Sequence, residues 1–170
     1  MERSARPRNP LLHTTSGRWV DGFCGRGPVV ALFKKKRDGS ISVQVNAQAR
    51  TFIGEIFNQV VAAENDPNHV WHTSMNPPIN PAANSDDPLA TFSRQKEMAS
   101  NAELAQMTIN EETLSAGEAY AWMTSLQLAL RATATTQGVM DEEALTKVDP
   151  ETKQYILNVQ SLLFGLAASL

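Results

Sequence analysis

Four stretches of the sequence carry apolar side chains at the spacing of an α-helix, and this pattern constrains the fold more than any other feature. Three of them begin with clear start signals: Asn46, the capping box Ser115-Ala116-Gly117-Glu118, and Asp149 followed by Pro150. Helices are therefore predicted over about 46–64, 89–107, 115–136 and 149–170. Each has one apolar face to bury, so we expect the four helices to pack mostly antiparallel against one another.

The alternating segment ALFKKKRDGSISVQV at 31–45 precedes the first helix and predicts a β-hairpin. A two-residue turn at Asp38-Gly39 would place Val43 opposite Lys34. A three-residue loop over 37–39, with Gly39 left-handed, instead pairs Phe33 with Val43. It makes one face of the hairpin apolar and the other polar near the tip. We favour the second arrangement, because it collects the apolar residues on one face: Val29, Ala31, Phe33, Ile41, Val43 and Val45.

Together these elements predict a mainly α fold (α+β), with an N-terminal antiparallel β-hairpin packed on about four mostly antiparallel helices. A chain of 170 residues is long enough to bury one sizeable core. We expect residues 28–170 to form a single helical domain that carries a Pro-rich loop at 65–88. Residues 1–27 are basic and contain two prolines, which favours a flexible N-terminal segment.

The charges are distributed unevenly along the chain. Residues 1–37 contain nine Lys or Arg and two acids, whereas residues 38–170 contain six Lys or Arg and sixteen acids. This asymmetry indicates a basic end that either meets an anionic partner or folds back on the acidic remainder of the chain.

The basic run Lys34-Lys35-Lys36-Arg37 at the hairpin tip has two interpretations. Lysines at such a tip keep an edge strand soluble and protect it from pairing with other chains. Together with five arginines earlier in the chain, the same run carries enough positive charge to contact several phosphates. Lys34, Lys35, Lys36 and Arg37 are therefore the candidate contact with nucleic acid or a partner, and the residues alone do not decide between the two interpretations.

No set of side chains has the spacing that an enzyme requires. The histidines His69 and His72 have no fourth ligand in a recognisable pattern, and the glycines at 22, 25 and 27 match no phosphate-binding loop. His13 and Cys24 belong to no nucleophile motif. We therefore expect a protein that is not an enzyme, with no catalytic residue, no metal and no cofactor.

The single cysteine, Cys24, excludes an intramolecular disulfide and favours a reducing compartment, the cytoplasm. Basic residues surround Cys24 in the sequence, so it is a candidate redox residue through its thiolate. The start of the sequence has no apolar region of signal-peptide length, and no segment has the apolar length of a membrane span. We expect no contact with membranes.

The order of elements also resembles a known family. The residues that carry this resemblance are the Asp86-Asp87-Pro88 step followed by Phe92, the pattern from Ala119 to Leu126, Gly138-Val139, and a last helix with Tyr155, Gln160 and Leu163. Over roughly residues 28–170 the chain resembles an actinobacterial domain-of-unknown-function family that includes the oxidative-stress-dependent transcription regulator AosR. It departs from that pattern at 127–130, and one cysteine cannot form an internal redox pair.

The resemblance implies a non-enzymatic cytoplasmic regulatory protein, linked to stress-dependent transcription, which acts through a protein partner of the transcription machinery or through DNA. The alternative is a protein–protein adaptor or an oligomeric scaffold that does not bind nucleic acid. Such a protein would dock through the loop around Trp71 or through the leucine-rich last helix. Formation of a homo-oligomer is compatible with both hypotheses.

Overall fold

The computed structural model describes residues 31–76 and 88–170. Its strands are β1 (Phe33–Lys35), β2 (Ile41–Val43) and β3 (Thr113–Leu114). Its helices are α1 (Ala47–Asn65), α2 (His72–Met75), α3 (Pro88–Met107), α4 (Ala116–Gln137), α5 (Glu142–Lys147) and α6 (Pro150–Ala167). The fold is mainly helical with a small antiparallel sheet, which confirms the predicted fold class.

The hairpin has the register that the three-residue loop requires. Phe33 pairs with Val43 and Lys34 with Ser42, and Gly39 is left-handed at φ 85°. The backbone N–H of Lys36 donates to Ser40 O at 2.7 Å and closes the loop. The sheet order is β1-β2-β3, so the sequence analysis missed a third strand, which pairs Leu114 with Ile41.

The apolar face of the hairpin is narrower than predicted. Phe33, Ile41 and Val43 are buried and Val45 is partly buried, but Ala31 is exposed. The prediction that Ala31 joins the core is wrong, since it precedes the first residue of β1. Val29 lies outside the described residues.

Three of the four long helices begin at the predicted capping residues. Asn46 Oδ1 accepts from the amide of Ala49, and Asp149 Oδ1 accepts from the amide of Thr152. Ser115 and Glu118 form both bonds of the capping box. Left-handed Gly138, with φ 69°, ends α4.

Two short helices lie in segments that were predicted to be irregular. The first, α2, lies inside the predicted 65–88 loop and is buried through Met75. The second, α5, lies in the acidic connector after α4 and is capped by Asp141, whose side chain accepts from the amide of Ala144. They have four and six residues, fewer than two turns each, which is too short to show a helical period in the sequence.

Trp122 on α4 joins the hairpin to the helices. Its ring contacts Phe33 and Phe57 edge to face, with centroids 6.4 and 5.2 Å away. Its indole N–H donates to Thr108 Oγ1 at 2.9 Å, just beyond the end of α3. The hairpin, α1, α3 and α4 therefore share one buried aromatic centre.

The end of α6 closes the other side of the hairpin. A Cβ atom on Gly165 would lie 3.3 Å from Cδ2 of Phe33, so the ring packs directly on the helix backbone. Ser169 Oγ donates to Phe33 O at 3.1 Å, which occupies a carbonyl on the free edge of β1. The hairpin tip is thereby held in a fixed position relative to the end of α6.

Candidate partner-binding surface

The four basic residues predicted as a contact all lie at the exposed tip of the hairpin. Lys34 and Lys35 belong to β1, and Lys36 and Arg37 lead into the turn. Asp38 stabilises that turn, because its carboxylate accepts from the amide and the hydroxyl of Ser40 at 3.0 and 2.6 Å. The same hydrogen bonds lower the pKa of Asp38, so the turn holds a negative charge beside the basic run.

Two of the four cations are bound to other parts of the chain. Lys35 Nζ donates to the backbone oxygen of Leu170 at 2.7 Å, beyond the end of α6. Lys36 Nζ donates to Thr113 Oγ1 on β3, also at 2.7 Å. These two hydrogen bonds hold the hairpin against the rest of the fold. A partner that binds Lys35 or Lys36 would therefore have to replace an intramolecular hydrogen bond.

Lys34 and Arg37 differ from their neighbours. Within residues 31–76 and 88–170, neither side chain forms a hydrogen bond or an ion pair. Both side chains are exposed and lie near the tip of the hairpin. The candidate contact of four residues therefore reduces to two available cations, Lys34 and Arg37, supported by two structural lysines. We call this pair the tip cations.

The two histidines of the sequence motif serve the local structure. His69 Nε2 lies 3.1 Å from Gln59 Oε1, and its Nδ1 accepts from the amide of Trp71. His72 Nδ1 lies 2.7 Å from Ala63 O on α1. Burial lowers the pKa of His69, which favours its neutral form. Over the described part of the chain, no group of three or more His, Cys, Asp or Glu side chains is placed to hold a metal.

Cys24 and His13 lie outside the described residues, so the redox prediction for Cys24 stays a prediction. The arginines that precede the hairpin lie there as well.

Trp71 does not form a docking surface. It is fully buried, and its ring contacts His69 with centroids 5.9 Å apart. The Trp71 ring is therefore not available to a partner, because the start of the short helix α2 holds it in the core. Residues 77–87 of the same loop lie outside the described residues, so docking through the loop stays a prediction.

The last helix does offer apolar surface. Phe164 is 73% exposed and Leu157 is 38% exposed, seven positions apart on α6. A spacing of seven residues places both side chains on the same side of a helix. The buried face of α6 lies against α4, so the Phe164 side points away from the core.

One polar cluster was missed by the sequence analysis. Asn76 after α2 and Arg94 on α3 both lie close enough to Glu64, at the end of α1, to affect its carboxyl. Burial raises the pKa of Glu64, while His72, Asn76 and Arg94 lower it to a smaller extent. No local pattern signals this cluster, because three separate helical elements supply its members.

Comparison of the chain with models of protein families, with curated proteins and with solved structures returned no match. The resemblance to the actinobacterial family therefore stays a prediction from the residues. None of the helices in the two described ranges has the length and apolar character needed to cross a membrane.

Proposed function

We propose that this protein is a non-enzymatic cytoplasmic regulatory protein, linked to stress-dependent transcription, that acts through a protein partner or through DNA. The observation that carries the proposal is the pair of tip cations, which are exposed and form no hydrogen bond or ion pair with the described residues, on a hairpin fixed to the core. The family resemblance supplies the link to transcription, and the tip supplies a contact suited to an anionic surface.

The rigid mounting of the tip supports this function. Lys35 and Lys36 tie the hairpin to Leu170 and Thr113, and Phe33 is buried between Trp122 and Gly165. A fixed hairpin loses little conformational freedom when its tip cations meet phosphates or carboxylates. The tip offers few cations, so binding to DNA through it alone would be weak and would depend strongly on salt.

A fluorescence-anisotropy titration of labelled duplex DNA at low and moderate salt tests whether the protein binds DNA. The test variant carries Lys34→Ser and Arg37→Ser and leaves the two structural lysines in place. If the tip cations contact phosphates, the double variant binds DNA more weakly. The negative slope of its log binding constant against log salt concentration also becomes shallower by about 2, near 0.9 for each lost contact.

A charge-matched control carries Lys96→Ser and Lys153→Ser, two exposed lysines on α3 and α6. An equal loss in both double variants would attribute binding to net charge and contradict a specific role for the tip. Absence of binding at low salt would exclude DNA, and the tip cations would then be tested against an acidic protein partner.

The second candidate function is an adaptor or oligomeric scaffold without nucleic-acid binding, and exposed Phe164 favours it. A large exposed aromatic side chain on a helix is typical of a protein contact. Sedimentation velocity over a range of concentrations tests self-association directly. We expect Phe164→Ser to abolish an oligomer that forms through α6, whereas Ser161→Ala on the same exposed side leaves it intact.

A further inference from the structure

Residues 69–71, which we call the His69 turn, lead into α2 and are closed by a histidine side chain. The backbone N–H of Trp71 donates to His69 Nδ1 at 3.1 Å, as it would to an Asn or Asp side chain in an Asx turn. Trp71 immediately precedes α2 and is fully buried. The rings of His69 and Trp71 also pack edge to face, with centroids 5.9 Å apart. One imidazole therefore contacts both the backbone and the ring of Trp71.

The two hydrogen bonds of the His69 ring identify its protonation state. Because Nδ1 accepts from an amide, it carries no proton, and the proton of the neutral ring is on Nε2. Nε2 lies 3.1 Å from Gln59 Oε1 on α1, which accepts that proton in a hydrogen bond. The neutral Nε2–H tautomer satisfies both contacts, whereas the doubly protonated ring satisfies only the contact with Gln59.

His72, three positions later, is bound in the opposite sense. Its Nδ1 lies 2.7 Å from the backbone oxygen of Ala63 on α1, and a carbonyl oxygen can only accept, so Nδ1 carries the proton. His72 can take up a second proton on Nε2 and keep this hydrogen bond. The two histidines therefore respond differently to acid, since only His69 must lose a backbone contact when it is protonated.

We propose that the His69 turn is a pH-sensitive device, in which a proton on His69 Nδ1 breaks the bond to the Trp71 amide and loosens the attachment of Trp71 and the start of α2 to α1. Solvent supplies the proton, because the His69 side chain is only partly buried. The imidazolium N–H and the Trp71 N–H would then face each other as two donors, so the turn has to open. The His69 turn and the hairpin are separate elements, and this proposal does not depend on the function proposed above.

The surroundings of His69 place the transition below neutral pH. Burial lowers the pKa of His69 from its ordinary value of 6.5, the carboxylate of Asp66 opposes this shift, and the charge of His72 adds to it. Among the described residues, Asp66 and His72 are the charged groups that act on this ring, while Gln59 on α1 faces it without charge. The stabilising contribution of the neutral ring is therefore complete above pH 6.5 and is lost as the pH falls through the lower pKa of the folded state.

The first test is the tautomer of each ring. Long-range 1H–15N correlation spectra of the full-length 15N-labelled protein at about pH 8, where imidazoles are neutral, distinguish the two nitrogen atoms. We expect Nε2–H for His69 and Nδ1–H for His72. An Nδ1–H tautomer for His69 would overturn the proposal, because Nδ1 could not then accept from Trp71.

The second test follows the protection of the Trp71 amide against hydrogen exchange between about pH 5 and pH 8, in which range imidazole titrates. After correction for the intrinsic exchange rate, we expect about tenfold lower protection at the acid end, since the amide loses its acceptor. The loss should have the same midpoint as the titration of the His69 ring in the same samples. Different midpoints, or protection that stays constant while His69 titrates, would contradict the proposal without any variant.

His69→Asn is the matched variant, because Asn Oδ1 can accept from the same amide and does not titrate. Its Trp71 amide should stay protected over the whole pH range. His72→Asn keeps His69 and should retain the loss, with a slightly higher midpoint because the charge of His72 is gone. An equal loss in wild type and His69→Asn would assign the effect to another group, such as Glu64, and overturn the proposal. Far-UV circular dichroism at each pH confirms that the helices are intact.

Discussion

Lys35 Nζ lies 2.7 Å from the backbone oxygen of Leu170, although 135 positions separate the two residues in the sequence. Lys34, its immediate neighbour, has its side chain on the opposite face of β1 and pairs across the sheet with Ser42. Adjacent lysines in one basic run therefore have different roles, since one stabilises the fold and the other faces solvent.

The first prediction follows from this difference. Lys35→Ala should lower the free energy of unfolding by about 0.5–1 kcal/mol, because it removes a charge-assisted hydrogen bond at the end of a helix. Lys34→Ala should change it by close to zero. Urea denaturation of the two variants measures both values, and equal effects would contradict the distinct roles of the two lysines.

The bond between Trp122 Nε1 and Thr108 Oγ1 gives the second prediction. Thr108→Val keeps the shape of the side chain but leaves the buried indole N–H without an acceptor, so it should destabilise the protein by about 1–3 kcal/mol. Thr108→Ser keeps the hydroxyl and should cost less. If the Ser variant proves less stable than the Val variant, packing of the methyl group outweighs the hydrogen bond.

The contact between Gly165 and Phe33 gives the third prediction. Gly165→Ala would place a Cβ atom 3.3 Å from the Phe33 ring, which is 3% exposed and contacts Trp122. The ring has little room to move, so we expect a loss of about 1 kcal/mol despite the better helix propensity of alanine. Gly117→Ala, where the new Cβ meets open space, should instead stabilise α4 by about 0.5 kcal/mol. Thermal unfolding of the pair should show shifts of opposite sign.

The raised pKa of Glu64 gives the fourth prediction, on pH dependence. The folded protein holds the Glu64 proton more tightly than the unfolded chain, whose reference pKa is 4.5. The stabilising contribution is therefore complete below pH 4.5 and is lost as the pH rises through the higher pKa of the folded state. Glu64→Gln should remove this loss and stabilise the protein by ~0.5 kcal/mol near neutral pH, since a partly exposed carboxyl is screened by water.

Chemical denaturation of wild type and Glu64→Gln at a series of pH values between 4 and 8 measures this linkage. Glu103→Gln removes the same charge from an exposed position on α3 and serves as the matched control. Parallel pH profiles for wild type and Glu64→Gln would show that the Glu64 carboxyl does not contribute.

The parts of the fold that depend on neighbouring residues could be predicted from the sequence. The parity of the 37–39 loop determined the hairpin register, and capping residues located the starts of α1, α4 and α6. The strand β3 could not be predicted, because two residues show no alternation and their pairing partner lies about 70 positions earlier.

The candidate sites, too, could be predicted only where their residues are close together in the sequence. Sequence analysis found the basic tip, because its four cations are consecutive. It could not separate the tip cations from Lys35 and Lys36, whose partners are distant in the sequence. It also named the loop around Trp71 as a candidate docking surface, because nothing local reveals that a single helical turn buries this ring. The cluster of Glu64, Asn76 and Arg94 exists only once α1, α2 and α3 have packed.

The placement of the hairpin between β3 and the end of α6 has a consequence for biosynthesis. An isolated two-stranded hairpin is marginally stable in water. This hairpin gains its third strand, and the contacts of Phe33 with Gly165 and Ser169, from residues that are synthesised much later. Until those residues have been synthesised, Phe33, Ile41 and Val43 have no complete core to enter, so we expect them to stay exposed on the nascent chain. Completion of the sheet and of the packing around Phe33 therefore follows the synthesis of β3 and α6, even though the first strands precede every helix of the described chain.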